Sequence, residues 1–355
     1  MSPISRREFI KLCAGTTAAI SMSSWLAPLL TEAAEAGAPP VIWLAGAACT
    51  GCSVSLLNSV SPDIKEVLLN TISLRYHSTV MGGAGEVAMD AMFKTAEEAA
   101  GKFVLVVEGA VPLSKEGKFC TVGEDPKNNN KPYTFDYLVR TLGAKAGAIL
   151  NVGTCSAYGG IPAAGTNPTG CVPVSEVIKH NTMVNIAGCP PHPDWIVGTI
   201  AYLLIYHAKS PIKVDKHGRP TMFYWGTIHD NCPRRQYFDN GIFAEKFGEM
   251  GCMLELGCRG PYAHCDASTR LWNGGVNWCI KSGGTCIGCT EPGFPDGPIY
   301  KRPVDIKLGP EIGISADTAG IALGALTVAG IGAHLIGNVA TGRIPGKHEK
   351  KEGDH

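Results

Sequence analysis

Cysteine is the residue type in this chain with the clearest chemical potential. The 355 residues include 14 cysteines, and two pairs have the spacing Cys-x-x-Cys, namely Cys49 with Cys52 and Cys286 with Cys289. Thiols at this spacing can hold one metal centre, form a disulfide or carry redox chemistry. One such pair is a weak signal by itself, so the interpretation depends on where the other cysteines lie.

A first group of cysteines follows short apolar segments in the first half of the chain. Its members are Cys49, Cys52, Cys155 and Cys189, and each lies within two residues of a glycine. If the apolar segments are parallel strands, their carboxyl ends meet at one edge of a sheet, where ligands bind. Glycines there let the backbone pass close to a bulky cluster and leave N–H groups free to bond its sulfurs. Glu108 follows another apolar segment and reaches the same edge.

A second stretch, in the second half of the chain, is dense in cysteine and poor in long apolar segments. Its candidate ligands are His229, Cys232, Cys252, Cys258, Cys265, Cys279, Cys286 and Cys289. Small folds that lack a large core are held together by metals or by disulfides. Eight ligands divide naturally into two groups of four, which with the first group makes three candidate sites.

Spacing alone leaves three interpretations open. Disulfides are allowed in an exported protein, structural zinc takes four ligands per site, and iron–sulfur clusters take four thiolates, with histidine sometimes replacing one. The paired spacing argues against disulfides. Zinc gives no reason for three sites along one chain, whereas three clusters would form a path for electrons, so the pattern favours iron–sulfur clusters.

These candidate ligands need a scaffold, and the first half of the sequence predicts a parallel sheet. Apolar or alternating segments typical of strands take turns with helical patterns, which indicates a doubly wound α/β domain over residues 37–210. The domain over residues 211–310 is predicted to be small and irregular. Strands are predicted at 41–45, 72–76, 103–107, 148–152 and 184–187, and helices at 53–59, 86–100, 135–142 and 194–207.

The composition gives no support for nucleic-acid binding and fits a globular protein. Lys and Arg together number 31, and so do Asp and Glu, so no excess of positive charge favours nucleic acid as a partner. Hydrophobic residues make up 45% of the chain and charged residues 17%, which is enough apolar material for a large buried core.

The amino-terminal segment, residues 1–36, resembles an export signal. It contains the adjacent pair Arg6-Arg7, followed by an uncharged run, and it ends at the small-residue site Ala34-Glu35-Ala36. We expect a twin-arginine signal peptide here rather than a membrane anchor. The twin-arginine route carries folded proteins, so it suits a chain that acquires a cofactor in the cytoplasm.

The carboxyl-terminal run at residues 318–341 contains no Asp, Glu, Lys or Arg, and a basic tail follows at 342–355. As a helix this run is about 36 Å long, enough to cross a hydrocarbon core of about 30 Å. The alternative is a buried core helix, because Gly and Ala make the run only weakly hydrophobic. A membrane span predicts a protein anchored on the periplasmic side of the cytoplasmic membrane, with its basic tail in the cytoplasm.

Six motifs taken together resemble the small subunit of periplasmic-facing, group 1 [NiFe] hydrogenases. They are residues 49–53, 108–112, 153–160, 188–193, 229–233 and 286–292. The resemblance implies a flavodoxin-like sheet domain followed by a small iron–sulfur domain. It also implies that H₂ is split at a Ni–Fe centre in a large subunit, and that this chain, with no catalytic residue of its own, passes electrons to a cytochrome c or a membrane cytochrome b. The alternative is a non-hydrogenase iron–sulfur subunit of a membrane redox complex.

The resemblance implies a set of ligands for each cluster. The proximal [4Fe–4S] cluster takes Cys49, Cys52, Cys155 and Cys189; the distal [4Fe–4S] cluster takes His229, Cys232, Cys252 and Cys258; the medial cluster takes Cys265, Cys286 and Cys289. Many relatives have proline where this chain has Cys279, together with a medial [3Fe–4S] cluster. A fourth thiolate at Cys279 implies a medial [4Fe–4S] cluster, which resembles the selenium-containing [NiFeSe] branch. Cys120 and Cys171 remain, and we expect them to be buried structural thiols.

Overall fold

The computed structural model of the chain describes residues 39–206, 210–295, 297, 299–301, 306–307, 313–314 and 316–342. The signal peptide predicted at residues 1–36 lies outside the described residues, and so does the basic tail after Gly342. The chain divides into two compact units, Met1–Lys301 and Arg302–His355.

A five-stranded parallel sheet forms the centre of the first unit. The strands of the described chain are β1 (Pro40–Ala45), β2 (Ser73–His77), β3 (Val104–Glu108), β4 (Val111–Pro112), β5 (Thr121–Asp125), β6 (Lys131–Thr134), β7 (Ala148–Val152), β8 (Cys171–Val172), β9 (Met183–Ile186), β10 (Ile306–Lys307) and β11 (Gly313–Ile314). The sheet order is β2-β1-β3-β7-β9, and every neighbouring pair is parallel. This is the strand order of flavodoxin-like doubly wound sheets, and it confirms the predicted parallel sheet.

The helices of the described chain are α1 (Gly51–Leu57), α2 (Ile64–Glu66), α3 (Gly85–Glu98), α4 (Phe135–Gly143), α5 (Thr154–Tyr158), α6 (Gly160–Ala163), α7 (Val174–Val177), α8 (Pro193–Tyr206), α9 (Arg235–Asp239), α10 (Ala267–Arg270) and α11 (Ala316–Ala340). In the first unit, α1 and α8 pack on one face of the sheet, and α3 and α4 pack on the other. Successive residues of a strand enter opposite cores: Trp43 belongs to one apolar cluster, and Ile42 and Leu44 belong to the other. Because both faces are covered, β3 and β7 are buried along their whole length, which explains why they are apolar except for Glu108 and Asn151.

The predicted boundaries differ from the observed ones by one or two residues, and the strand predicted from Ile72 begins at Ser73 instead. Ile72 closes a π-helical turn, since its N–H donates to the Val67 carbonyl at 3.0 Å. The sequence analysis missed three short antiparallel ribbons, β4 with β8, β5 with β6 and β10 with β11. Four of these strands have only two residues, and β5 and β6 are polar and largely exposed, so no apolar pattern marks them.

The second half is irregular, as predicted. In the described residues from 210 to 295, the regular elements are α9, α10, the 3₁₀ turn Leu254–Leu256 and isolated bridges. Most of its buried apolar residues, among them Phe223 and Trp278, belong to the same apolar cluster as Trp43 of the sheet. The division at residue 210 stays a prediction.

The second unit contains α11. Among the described residues, Thr318–Ala340 is the one helix long and apolar enough to cross a membrane, with 23 residues and a mean hydropathy of 1.8. Its apolar side chains are exposed, for example Leu323 and Val328. A buried core helix is therefore not what the structure contains at this position.

Candidate metal centres

The carboxyl edge of the sheet carries the first group of thiols. Cys49 and Cys52 follow β1, Cys155 lies on α5 directly after β7, and Cys189 follows β9. Burial raises the pKa of the Cys52 thiol well above its usual value, and the charges of Glu108 and of the other three thiols add to the rise. Thiolates packed this closely repel one another, so an ionised set requires a positively charged centre among them.

Glycines keep open the space beside these sulfurs. At Gly153, with φ +94°, an added Cβ would lie 2.5 Å from Cys52 Sγ. At Gly160, with φ +51°, it would lie 3.1 Å from Cys155 Sγ. Both glycines have left-handed backbone conformations that other residues adopt at a cost. The sequence argument that glycines make room around the thiols therefore has a geometric basis at these two positions.

Glu108, at the end of β3, is buried and fully paired. Its Oε1 accepts the backbone N–H groups of Cys52 at 3.0 Å and Ser53 at 3.3 Å, which are otherwise unpaired at the start of α1. Its Oε2 accepts the Trp43 indole N–H at 2.9 Å and the Ser53 hydroxyl. The carboxylate thus fixes the helix that carries Cys52, in the place where a helix N-terminus favours negative charge.

His77 extends this buried network. Its Nδ1 accepts the Thr79 N–H at 3.1 Å, so Nε2 carries the proton and donates to the Ser53 hydroxyl at 3.2 Å. Burial lowers the pKa of His77, although the Glu108 carboxylate opposes this, and the ring is neutral at pH 7. The sequence analysis singled out Glu108 but not its partners. Trp43 and Glu108 are 65 positions apart in the sequence, and Ser53 and His77 are 24 positions apart, so no local pattern links them.

The second group surrounds a small cavity in the irregular half. His229, Cys232, Cys252 and Cys258 all line this cavity. The backbone N–H of Arg234 donates to Cys232 Sγ at 3.4 Å, and that of Gly260 donates to Cys258 Sγ at 3.4 Å. Amide donors to ligand sulfurs are typical of iron–sulfur sites and tune their potentials.

His229 has the protonation state that a metal ligand requires. Burial lowers its pKa, and the nearby Arg235 charge lowers it further, so the imidazole is neutral with a free nitrogen lone pair. The ring packs edge-on against Phe238, with ring centres 4.6 Å apart. Phe238 therefore restricts the orientation of the ring beside the cavity.

The third group has neighbours in both of the others. Burial raises the pKa of Cys289 to about 12, and the charges of Cys279 and Cys189 contribute. Burial also raises the pKa of Cys286, and the charges of Cys258, Cys265 and Cys289 add to the rise. Cys265, Cys279, Cys286 and Cys289 thus lie near one another, with Cys189 of the first group and Cys258 of the second group close enough to act on their pKa values.

The donor sets fit polynuclear clusters. The 13 cysteines that the structure describes are all free thiols. Nowhere in the described chain do three or more His, Cys, Asp or Glu side chains converge tightly enough to hold a single metal ion. In a four-iron cluster each thiolate binds a different iron, so the sulfurs stand further apart than around one tetrahedral zinc ion.

Cys120 and Cys171 lie apart from these groups. Cys171 is 3% exposed and Cys120 is half-buried against the second apolar cluster. Burial raises the pKa of Cys120 to about 11, with a contribution from Cys171. Burial of both thiols away from the three groups agrees with the structural role expected for them.

Two family models match separate parts of the chain. Residues 224–300 match the C-terminal region of NiFe/NiFeSe hydrogenase small subunits. Residues 49–203 match the 20 Kd subunit of NADH ubiquinone oxidoreductase. The first half is thus shared with a wider class of redox subunits, and the second half defines the class as a hydrogenase subunit.

Relatives over most of the chain agree. The chain is 47% identical to the periplasmic [NiFeSe] hydrogenase small subunit of Desulfomicrobium baculatum over 84% of this chain and 98% of that one. It is 38% identical to the uptake hydrogenase small subunit of Azotobacter vinelandii over 99% and 95%. A solved [NiFeSe] hydrogenase structure from D. baculatum superposes with a TM-score of 0.72 at 48% identity, covering 75% of this chain and 99% of that one. The chain belongs to the family of NiFe/NiFeSe hydrogenase small subunits.

Proposed function

We propose that this chain relays electrons, one at a time, between the Ni–Fe centre of a hydrogenase large subunit and a cytochrome c or membrane cytochrome b, through three iron–sulfur clusters. The observation that carries the proposal is the arrangement of the twelve candidate ligands. They fall into three neighbouring groups. Charges on Cys189 of the first group and Cys258 of the second group contribute to the raised pKa values of Cys289 and Cys286 in the third. Neighbouring sites of this kind are what a path for single electrons requires.

Each group is assigned to one cluster. The proximal cluster takes Cys49, Cys52, Cys155 and Cys189, the medial cluster Cys265, Cys279, Cys286 and Cys289, and the distal cluster His229, Cys232, Cys252 and Cys258. Each cluster, when bound, stores and releases one electron. The chain itself supplies the thiolates, the amide donors to their sulfurs and the buried surroundings that exclude water. Because Cys279 gives the medial group a fourth thiolate, we assign a medial [4Fe–4S] cluster.

The two ends of the chain support a proposal about location. The D. baculatum relative is named a periplasmic hydrogenase subunit. Arg6-Arg7 and the site at residues 34–36 are consistent with twin-arginine export. The exposed apolar helix Thr318–Ala340 would then anchor the exported complex in the cytoplasmic membrane. Export of a folded chain allows its clusters to be inserted, and its large subunit bound, before it crosses the membrane.

Metal analysis of the purified complex tests the function. We expect about twelve iron and about twelve acid-labile sulfide atoms in this subunit, four of each per cluster, together with nickel in the partner. Zinc in the absence of sulfide would contradict the proposal and indicate a structural zinc protein. Iron and sulfide without nickel in any partner would favour the non-hydrogenase electron-transfer subunit.

A further inference from the structure

Thr154 joins two of the ligand groups through a single hydroxyl. Its side chain is 1% exposed, at the start of α5 between Gly153 and the proximal ligand Cys155. The hydroxyl accepts the Gly188 N–H at 2.9 Å and donates to the backbone carbonyl of Cys289. The Thr154 N–H donates to the Gly188 carbonyl at 3.0 Å. A hydroxyl can donate and accept at once, so one side chain bridges two backbone segments that are 101 positions apart, from 188 to 289.

Both segments carry proposed cluster ligands. Gly188 directly precedes Cys189 of the proximal group, and Cys289 belongs to the medial group. The Thr154 hydroxyl therefore links the backbone beside one proximal ligand to the backbone of one medial ligand. These two hydrogen bonds connect the two ligand loops directly.

We propose that Thr154 is a positioning residue that clamps the Cys189 and Cys289 loops together and so maintains electron transfer between the proximal and medial clusters. The inference rests on the proposed function, because it presupposes that both clusters are bound. Electron transfer between two centres falls steeply with their separation. A clamp on the two backbones therefore acts on the rate without touching either cluster.

The required chemistry is specific to a hydroxyl. Valine at position 154 would match the shape of threonine but would leave the buried Gly188 N–H and Cys289 carbonyl unpaired, which favours separation of the two loops. Serine would keep both hydrogen bonds. Thr199 offers a matched control, because it is 0% exposed and its hydroxyl donates to the Trp195 carbonyl of its own helix at 2.6 Å.

The test compares the wild type with Thr154→Val, Thr154→Ser and Thr199→Val in the complete complex with its large subunit. Iron and sulfide are counted first. Electron paramagnetic resonance of the H₂-reduced enzyme then measures the magnetic interaction between the reduced proximal and medial clusters, and rapid freeze-quench follows the reduction of the medial cluster. We expect Thr154→Val to keep its iron, lose the interaction splitting and reduce the medial cluster more slowly. The serine and Thr199 variants should match the wild type.

Two results would overturn the clamp. One is an unchanged splitting and rate in Thr154→Val. The other is loss of iron from Thr154→Val but not from Thr199→Val, which would make Thr154 a residue needed for assembly only. Failure of the proposed function is a separate result, because it would appear as missing iron and sulfide in the wild type.

Discussion

Glu108 is a single buried side chain, 1% exposed, that four hydrogen-bond donors face from Trp43, Cys52 and Ser53. Two of the donors are backbone groups of the helix that carries Cys52. The side chain therefore acts on the ligand loop through the backbone. It is a satisfied carboxylate at the end of a strand, and its structural consequence is the placement of one thiol.

Glu108→Gln should destabilise the complex. The substituted amide would present N–H groups to N–H and O–H donors, so at least one buried donor would lose its acceptor, at a cost of about 2–3 kcal/mol. We expect a lower thermal midpoint and partial loss of proximal iron, measured by calorimetry and iron analysis. Glu97→Gln is the matched control at an exposed ion pair with Lys145 and should change stability by less than about 0.5 kcal/mol. Equal midpoints for the two variants would contradict this account of Glu108.

We propose that Cys279 decides the type of the medial cluster. With four thiolates, the medial group should hold [4Fe–4S], and Cys279→Pro should reduce it to [3Fe–4S]. Cluster type and net charge set the potential, so the variant should raise the potential in the middle of the path while H₂ oxidation partly survives. The measurement is electron paramagnetic resonance of the oxidised enzyme. The wild type should lack a strong [3Fe–4S] signal, and the variant should show about one per complex.

Cys120→Ser provides the control for this substitution. It removes a thiol outside the three groups and should leave the spectrum of the wild type unchanged. An intense [3Fe–4S] signal in undamaged wild type would show that Cys279 is not a ligand.

At the scale of elements, the features with proposed functions are the ends of three strands and the apolar helix α11. The ends of β1, β7 and β9 carry the first group of thiols to one edge, because parallel strands place all their carboxyl ends there. The helix α11 has no such role in a site. Its large apolar side chains, among them Leu323 and Val328, are exposed, which in water is costly for a surface of this size.

Removing α11 should release the complex from the membrane. A chain that ends at Pro310 should be recovered in the soluble fraction, whereas the full-length complex should need detergent, because a span of this length buries its apolar surface in lipid. The measurement is fractionation with and without detergent. A wash in high salt serves as the control for electrostatic attachment. Release of the full-length protein by salt alone would show that the helix is not a span.

At the scale of the whole molecule, the proposed export route requires that assembly precede export. The proposed ligands of three clusters come from both halves of the chain, so we expect the folded chain and its clusters to form a single unit. The twin-arginine route accepts such a unit, since it carries folded proteins.

Replacing Arg6 and Arg7 with lysine should strand the subunit in the cytoplasm. The uncleaved precursor should accumulate there, detected by immunoblot of cytoplasmic and periplasmic fractions, with its iron content unchanged. The control is Lys11→Arg, which exchanges one basic residue for another outside the Arg6-Arg7 pair. This variant should be exported normally. Normal processing of the double-lysine variant would rule out the twin-arginine route.

Much of this protein was readable from local sequence. The strands and helices of the first half follow from apolar periodicity, because burial on one or both faces of an element selects residues at regular intervals. The cysteine spacing and the six motifs identified the candidate ligands and the family. The uncharged run at residues 318–341 predicted the exposed apolar helix by length and composition alone.

Only the tertiary structure decided which distant residues meet. Trp43 and Glu108 are 65 positions apart, and Thr154 and the Cys289 carbonyl are 135 positions apart. Their contacts depend on the order of strands in the sheet and on how the irregular half packs against it, and neither leaves a periodic trace in the sequence. The ribbons β4–β8, β5–β6 and β10–β11 were missed because strands of two residues, and exposed polar strands such as β5 and β6, show no apolar pattern. Local spacing selects the ligands, and long-range packing determines which ligands share a site.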